Sequence, residues 1–293
     1  MRDDFCVLIL THGRPDNMVT LRTLERYAYD GPVFLVIDDE DARGEEYRER
    51  YGDQVVCFSK EEIAAAIDEA GNFGDRRSIL YARNACPEIA RRLGFRYYIQ
   101  LDDDYKEFKY RHGAWYVQVW RTLGELWSVM IDFLEGCPPE VLTIAMSQGG
   151  DFIGGAPDTL RLRRKAMNSF ICSVDRPFQF SGVMNEDVNT YVTLGRRGLM
   201  FFTAPQVQLD QLQTQTNAGG ITELYLRFGT YAKAFYTVMH APSCTKVGIL
   251  SDPRGEPRIH HSINWNRAVP VILREDQRKA SGPGALNLER DDG

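Results

Sequence analysis

The 293-residue chain has no CxxC pair and no zinc-ligand spacing. Its six cysteines, Cys6, Cys57, Cys86, Cys137, Cys172 and Cys244, are scattered singly. That excludes a disulfide framework or a zinc finger. The thiols are expected to be buried and free, as in a reducing cytoplasm. No apolar run approaches the ~18 residues a membrane helix needs, so no membrane partner is expected. The N-terminus passes from Met1-Arg2-Asp3-Asp4 straight into an apolar stretch, so no signal peptide is expected either. Positive charge is also short: 35 Lys and Arg stand against 41 Asp and Glu, a formal net charge of −6. A protein that clamps duplex DNA along its length is basic, so any nucleic-acid contact here has to be local. There is no internal repeat and no interdomain linker.

What is present reads as one α/β domain over residues 1–276. A charged, glycine-containing tail over 277–293 is expected to be disordered. Continuous apolar runs at 5–10 (FCVLIL), 33–37 (VFLVI), 54–58 and 97–101 (YYIQL) have the pattern of strands buried on both faces of a parallel sheet. Helical patterns fall between or after them at 17–29, 60–69 with Ser59 as N-cap, and 78–93. Alternating strands and helices predict a mostly parallel central sheet flanked by helices. The second half is less regular. Helices are expected at 122–135, 187–195 and 222–239, a strand at 141–146, and a loop or hairpin between Gly149-Gly150 and Gly154-Gly155.

Four local features carry chemistry. Asp102-Asp103-Asp104 ends an apolar strand, just as Asp38-Asp39 ends another. Adjacent carboxylates repel one another and call for a cation or for solvent, and hard divalent ions favour oxygen ligands. Strand carboxyl ends are also where open α/β sheets bind ligands. A solvated turn is the alternative for the triplet taken alone. Arg83, in Tyr81-Ala82-Arg83-Asn84, stands nineteen residues before the triplet and offers a forked donor for a diphosphate; an ordinary surface arginine is its alternative. Gly182 opens a run ending in Asn185-Glu186-Asp187 before a helix, where a rigidly held carboxylate serves as a general base and helix capping is the alternative. His260-His261 are neighbours on a strand pattern, so at most one of them faces a given site.

Taken in order, these features resemble the GT-A glycosyltransferase fold over residues 5–265, most specifically in YARNACPEIARRLGFRYYIQLDDDY. More narrowly, the segments RPFQFSGVMNEDVNTYVTLGRRG, TQTNAGGITELY, PSCTKVGI and RIHHSINW resemble the TET/JBP-associated glycosyltransferases of bacteriophages, thought to add sugars to hydroxymethylated pyrimidines in phage DNA. The resemblance implies a nucleotide-diphosphate-sugar donor, with a UDP-sugar expected, and Mn²⁺ or Mg²⁺. It assigns Thr11, Asp38 and Asp39 to the nucleobase and ribose, and Arg83, Asn84 and Gly182 to the rest of the donor side. Asp102 would contact ribose or metal, Asp104 would be the main metal ligand, and His260 or His261 would complete the metal shell. Asp187, with Glu186 beside it, would be the base. Carboxylates occupy all three triplet positions, so the motif leaves open which of them ligate.

The implied partner is DNA carrying 5-hydroxymethylcytosine or 5-hydroxymethyluracil, extruded from the duplex. Arg163, Arg164, Arg196 and Arg197 would hold its phosphates, or else form a solvated surface. A phage-encoded protein of this kind would work in the host cytoplasm. The rival enzyme readings are a glycosyltransferase acting on a polysaccharide or protein and a nucleotidyltransferase. The second normally carries a glycine-rich phosphate loop after its first strand, and THGRPDN is a poor one. A non-catalytic binding module needs no base beside its metal site.

Overall fold

The structure is a computed structural model that describes residues 2–71, 76–112, 115–119, 122–148, 165–212, 222–251 and 257–268. The expected loop at 149–155 and the tail at 277–293 lie outside them.

The four apolar runs are strands. They are β1 (Phe5–Leu10), β2 (Val33–Asp38), β3 (Val55–Phe58) and β4 (Tyr97–Asp102). Between them come α1 (Val19–Arg26), α2 (Gly44–Tyr51), α3 (Lys60–Ala66) and α4 (Leu80–Arg92). Ser59 caps α3 as expected, its side chain accepting from Glu62 N. The second half adds β5 (Tyr105–His112), β6 (Trp115–Gln118), α5 (Leu123–Gly136), β7 (Val141–Gln148), β8 (Phe170–Ser173), α6 (Glu186–Gly195) and β9 (Met200–Gln211). Then follow α7 (Thr222–His240), a separate hairpin of β10 (Thr245–Ser251) and β11 (Pro257–Ile263), and α8 (Trp265–Ala268).

The main sheet has nine strands in the order β3-β2-β1-β4-β8-β7-β9-β5-β6. Only β8 and β5 run against the rest, so the sheet is mostly parallel in strand direction. Side chains alternate along β1. Phe5, Val7 and Ile9 join a core under α1 and α5, where Trp127 meets Phe5, Tyr29 and Phe108 edge-on. Cys6, Leu8 and Leu10 join a second core with residues of α4 and α6. A strand buried on both faces has no polar side to display, which is why it reads as a continuous apolar run.

The order 3-2-1-4 places the site. From β1 the chain winds outward to β2 and β3, then returns across the sheet to lay β4 on the other side of β1. Connections that leave a strand pair in opposite directions open a crevice at its carboxyl end. Register sets Leu10 level with Asp102 and Val36, so Thr11, Asp38 and the acidic triplet surround that crevice.

β9 was not legible because Pro205 interrupts it. Opposite Pro205 the β7–β9 register shifts, Met146 pairing with Ala204 and Ser147 with Gln208. The Ser147 hydroxyl spans the bulge to the Pro205 and Val207 carbonyls, at 3.2 Å each.

Candidate functional site

Thr20 pins the turn between β4 and β5. Its Oγ1 donates to the Asp102 carbonyl at 2.5 Å and accepts from Tyr105 N at 2.9 Å, while its own N–H donates to the Asp103 carbonyl. The three carboxylates then part ways. Asp103 is buried and turned back under the loop after β1, accepting from Thr11 Oγ1 at 2.8 Å and Arg14 Nη1 at 3.1 Å. Asp102 accepts from Arg83 Nη2 at 2.9 Å. Asp104 Oδ1 is buried with no hydrogen-bond partner. Burial, with Asp102 and Asp103 nearby, pushes the Asp104 carboxyl up to about 7. An orphaned carboxyl oxygen beside a second carboxylate is an arrangement that a hard divalent cation could satisfy.

Arg83 is the buried hinge of the site. It is wholly inaccessible and packs against the rings of Phe170 and Phe180. Its Nη2 reaches Asp102 and its Nε reaches Glu186 Oε1 at 3.0 Å, tying α4, β4 and α6 together. Burial opposes its charge, but Asp102 and Glu186 outweigh that and hold the guanidinium firmly protonated. Glu186 is also buried. Desolvation, then Asp187, raises its carboxyl. Asn168 spans the gap from Arg83 to Asp187. With its amide turned to satisfy both ends, the nitrogen donates to Asp187 Oδ2 at 2.9 Å and the oxygen accepts from Arg83 Nη2 at 3.2 Å. Arg83→Met is expected to cost about 3–5 kcal/mol in urea unfolding, because it strands the buried Glu186 carboxylate and unpairs the partly exposed Asp102. Arg83→Lys should restore little, since one ammonium cannot reproduce the fork.

Capping is not how Asn185 is used. It precedes α6 with a left-handed φ of 53° and makes no side-chain cap. Its Nδ2 donates instead to the Lys233 carbonyl at 2.7 Å and Thr237 Oγ1 at 3.1 Å, docking α6 on α7. The first turn of α6 is thereby held in place with both of its carboxylates.

Among the described residues a cleft of about 250 Å³ opens over this frame. Leu10, Thr11, Asp38 and Phe58 line it together with the acidic triplet and Glu186, and Lys60, Arg76 and Arg77 add positive charge. Asp38 accepts from His12 Nδ1 and Lys60 Nζ, both at 2.8 Å, and the hydrogen bond to Asp38 raises the His12 pKa.

Of the residues expected to bind donor, Thr11, Asp38 and Asp102 line the cleft, and Arg83 supports it from beneath. Three others do not line it. Asp39 is exposed and accepts from the Lys60 backbone N–H at the start of α3. Asn84 fastens α4 to the Phe180 backbone with both ends of its amide. Gly182 is needed for packing: at φ +86°, a Cβ there would lie 2.6 Å from His240 Nε2 and 2.7 Å from Asn189 Nδ2. Gly182→Ala should therefore destabilise the fold by about 1–3 kcal/mol in the same urea titration.

Nor do the histidines join the triplet. No three His, Cys, Asp or Glu side chains cluster to hold a metal among the described residues. His260 and His261 contact Lys165 instead, because β11 pairs in the separate hairpin. Arg196 and Arg197 are exposed at the far end of α6, about 15 Å along the helix from Glu186 at 1.5 Å per residue. Arg163 and Arg164 lie outside the described residues. His12, Arg14, Tyr47, Lys60, Arg76, Arg77 and Asn168 escaped sequence reasoning. The loop holding His12 and Arg14 follows an apolar strand directly, which was a usable signal; Asn168 carried none.

The family model for TET-associated glycosyltransferases matches residues 5–220. No curated protein matches the sequence. Among solved structures, glucosyl-3-phosphoglycerate synthase from Mycobacterium tuberculosis with Mn²⁺, UDP and glucosyl-3-phosphoglycerate is 11% identical. It superposes with a TM-score of 0.43 over 92% of this chain and 88% of that one. The same synthase with Mn²⁺ and UDP-glucose is 11% identical, with a TM-score of 0.44 over 88% and 86%. A mycobacterial protein is 12% identical, with a TM-score of 0.44 over 88% and 83%. At that distance these likenesses assign no residue a role.

Proposed function

The chain belongs to the TET-associated glycosyltransferase family, and from that premise we propose that it moves a sugar from a nucleotide-diphosphate donor, a UDP-sugar, to a hydroxymethylated pyrimidine in DNA. The observation that carries the chemistry is the Asp102–Arg83–Glu186 bridge, which sets a cation-deficient carboxylate pair and a base-bearing helix on the same cleft.

The nucleoside lies between Thr11, Asp38 and Phe58. The diphosphate faces Arg76, Arg77 and the acidic turn. Asp102 and Asp104 would hold Mn²⁺ or Mg²⁺, with donor phosphates and water completing the shell, as such ions commonly require. When bound, the ion would supply Lewis-acid neutralisation of the departing diphosphate. Asp103 is spent on Thr11 and Arg14, which leaves the outer two carboxylates of the triplet for that role.

Asp187 takes the proton from the acceptor hydroxymethyl oxygen. It is more accessible than Glu186, whose carboxylate Arg83 already occupies. Asn168 orients it. The freed alkoxide then attacks the anomeric carbon as the diphosphate leaves. Direct displacement on the face opposite the leaving group inverts that centre.

The test incubates the protein and Mn²⁺ with a panel of nucleotide sugars and with hydroxymethylated or plain DNA, then reads nucleoside masses. The expected result is one hexose-sized mass gain on the hydroxymethylated nucleoside alone. Transfer to plain DNA, or only to a glycan or protein, would remove the DNA reading and leave the family-level activity.

Nothing among the described residues is a helix long and apolar enough to cross a membrane.

A further inference from the structure

Asp38 lines the cleft, yet most of its carboxylate is already engaged. Oδ1 accepts from Lys60 Nζ at 2.8 Å and from Glu40 N at 3.1 Å, and Oδ2 pairs with His12 Nδ1 at 2.8 Å. Burial opposes its ionisation, but His12 and Lys60 outweigh that and hold the carboxyl below its ordinary value. An ionised carboxylate only accepts, so the His12 proton sits on Nδ1. Both partners also line the cleft. What this corner offers a ligand is therefore set largely by them.

Each partner is fixed in advance. Lys60 is 4% exposed and opens α3. Its backbone N–H donates to Asp39 Oδ1 at 2.9 Å, and its Nζ also stands 3.3 Å from Glu40 Oε2. The loop carrying His12 is held by Gly13 N on Asp41 Oδ2 at 2.7 Å and by Arg14 N on the Tyr47 hydroxyl at 2.8 Å. Neither side chain has to be ordered when a ligand arrives, which lowers the entropic cost of reading one.

Strand order says which part of a donor reaches this corner. Asp38 ends β2 and Phe58 ends β3, whereas the acidic triplet begins at the end of β4, and the order is β3-β2-β1-β4. Three strand spacings separate β3 from β4, about 14 Å, a distance that a nucleoside diphosphate spans. With the diphosphate at the acidic turn, the base falls beside His12 and Lys60. Leu10, Phe58, Ile79 and Ala82 supply the apolar surface that a flat ring covers.

The polar rim here consists of donors. An ammonium has three donors and no acceptor. Asp38 and Glu40 take two of those on Lys60, and the third is left for the cleft. A protonated His12 likewise donates from Nε2, and its hydrogen bond to Asp38 favours that form. Donors suit carbonyl oxygens and oppose amino groups. Uracil and thymine carry only carbonyls as exocyclic polar groups, while cytosine, adenine and guanine each carry an amine. We propose that His12 and Lys60 select a uracil- or thymine-type base in the donor nucleotide, and that Asp38 acts through them by holding both in position. This rests on the glycosyltransferase reading above and names the residues that choose its donor.

The test needs no turnover. UDP and CDP differ in one exocyclic group, a carbonyl in the first and an amine in the second, and their binding is measured by calorimetry with Mn²⁺ present. The wild type should bind UDP about tenfold or more tighter than CDP, because an amine set against a donor leaves both unpaired. His12→Phe keeps a ring and Lys60→Met keeps the chain length. Each should shrink the preference by about threefold or more, through weaker UDP binding. Lys60→Arg still only donates and should keep it. His12 is 44% exposed in its side chain, so His12→Phe decides the matter if Lys60→Met does not fold. Equal binding of UDP and CDP by the wild type, or an unchanged preference in the variants, would overturn the selector and leave the glycosyltransferase reading standing. A wild type that binds neither nucleotide would overturn both. A UDP preference that the variants lose, without transfer to any DNA, would support the selector and remove only the proposed acceptor.

Discussion

Asp104→Ala is expected to abolish sugar transfer in the presence of Mn²⁺ while leaving the fold intact and the metal-free protein more stable than wild type. Two arguments meet at this residue. The first concerns the proposed metal: Asp104 is the triplet carboxylate with a buried, unpartnered oxygen, so on that reading its loss would remove a ligand. The second is linkage. The Asp104 carboxyl rises from the ordinary 3.8 to about 7 through burial and the charges of Asp102 and Asp103. A carboxyl with a folded pKa above its unfolded one binds more protons in the folded state. Its stabilisation is complete below about pH 4 and is lost as pH rises through 7. Alanine has no such dependence, so the melting temperature of Asp104→Ala without metal should gain on wild type between those values. Mn²⁺ should raise the wild-type melting temperature and leave the variant where it was. Wild-type turnover by Asp104→Ala, or an equal Mn²⁺ shift in both proteins, would remove Asp104 from the metal site.

Asp187→Asn is expected to lower kcat by on the order of 10²–10⁴, the usual loss with a general base, while binding of Mn²⁺ and UDP stays within about twofold. The substitution is nearly isosteric, and Asp187 does not line the cleft, so the donor should not sense it. Glu186 is a poor replacement because its carboxylate is held by Arg83 Nε at 3.0 Å and buried. Asn168→Ala should move the same parameter in the same direction by less, since it removes the group that orients Asp187 and not the base itself. If UDP affinity falls in Asp187→Asn while kcat survives, Asp187 is a binding residue and the base lies elsewhere.

Much of this was written in local pattern. Continuous apolar runs marked β1 to β4 because a strand covered on both faces has no polar positions to alternate with. Acid at the ends of β2 and β4 marked the side on which the cleft opens, because like charges gather only where solvent or a cation meets them. Helices α4 and α6 and the Glu186-Asp187 pair were legible for similar local reasons. α2 was not: GEEYRERY is charged nearly throughout, and its two tyrosines anchor it, Tyr47 reaching Thr11 Oγ1 at 2.8 Å and Tyr51 the Pro15 carbonyl at 2.8 Å.

The roles within the site were decided by contacts between residues far apart in sequence. Three identical aspartates became different groups because Thr11 and Arg14, about ninety residues earlier, claim the middle one. Arg83 looked like a surface arginine reaching for a diphosphate. The fold instead buries it and makes it the bridge between Asp102 and Glu186, the latter 103 positions away. His260 and His261 were plausible ligands by composition, yet pairing of β11 with β10 sets them against Lys165. Local sequence sets hydrophobic period and charge, and these determine which segments become strands and where acid collects. The partner of a buried charge depends on which segments the chain returns to the same place, and only the assembled sheet, with β4 laid beside β1, settles that.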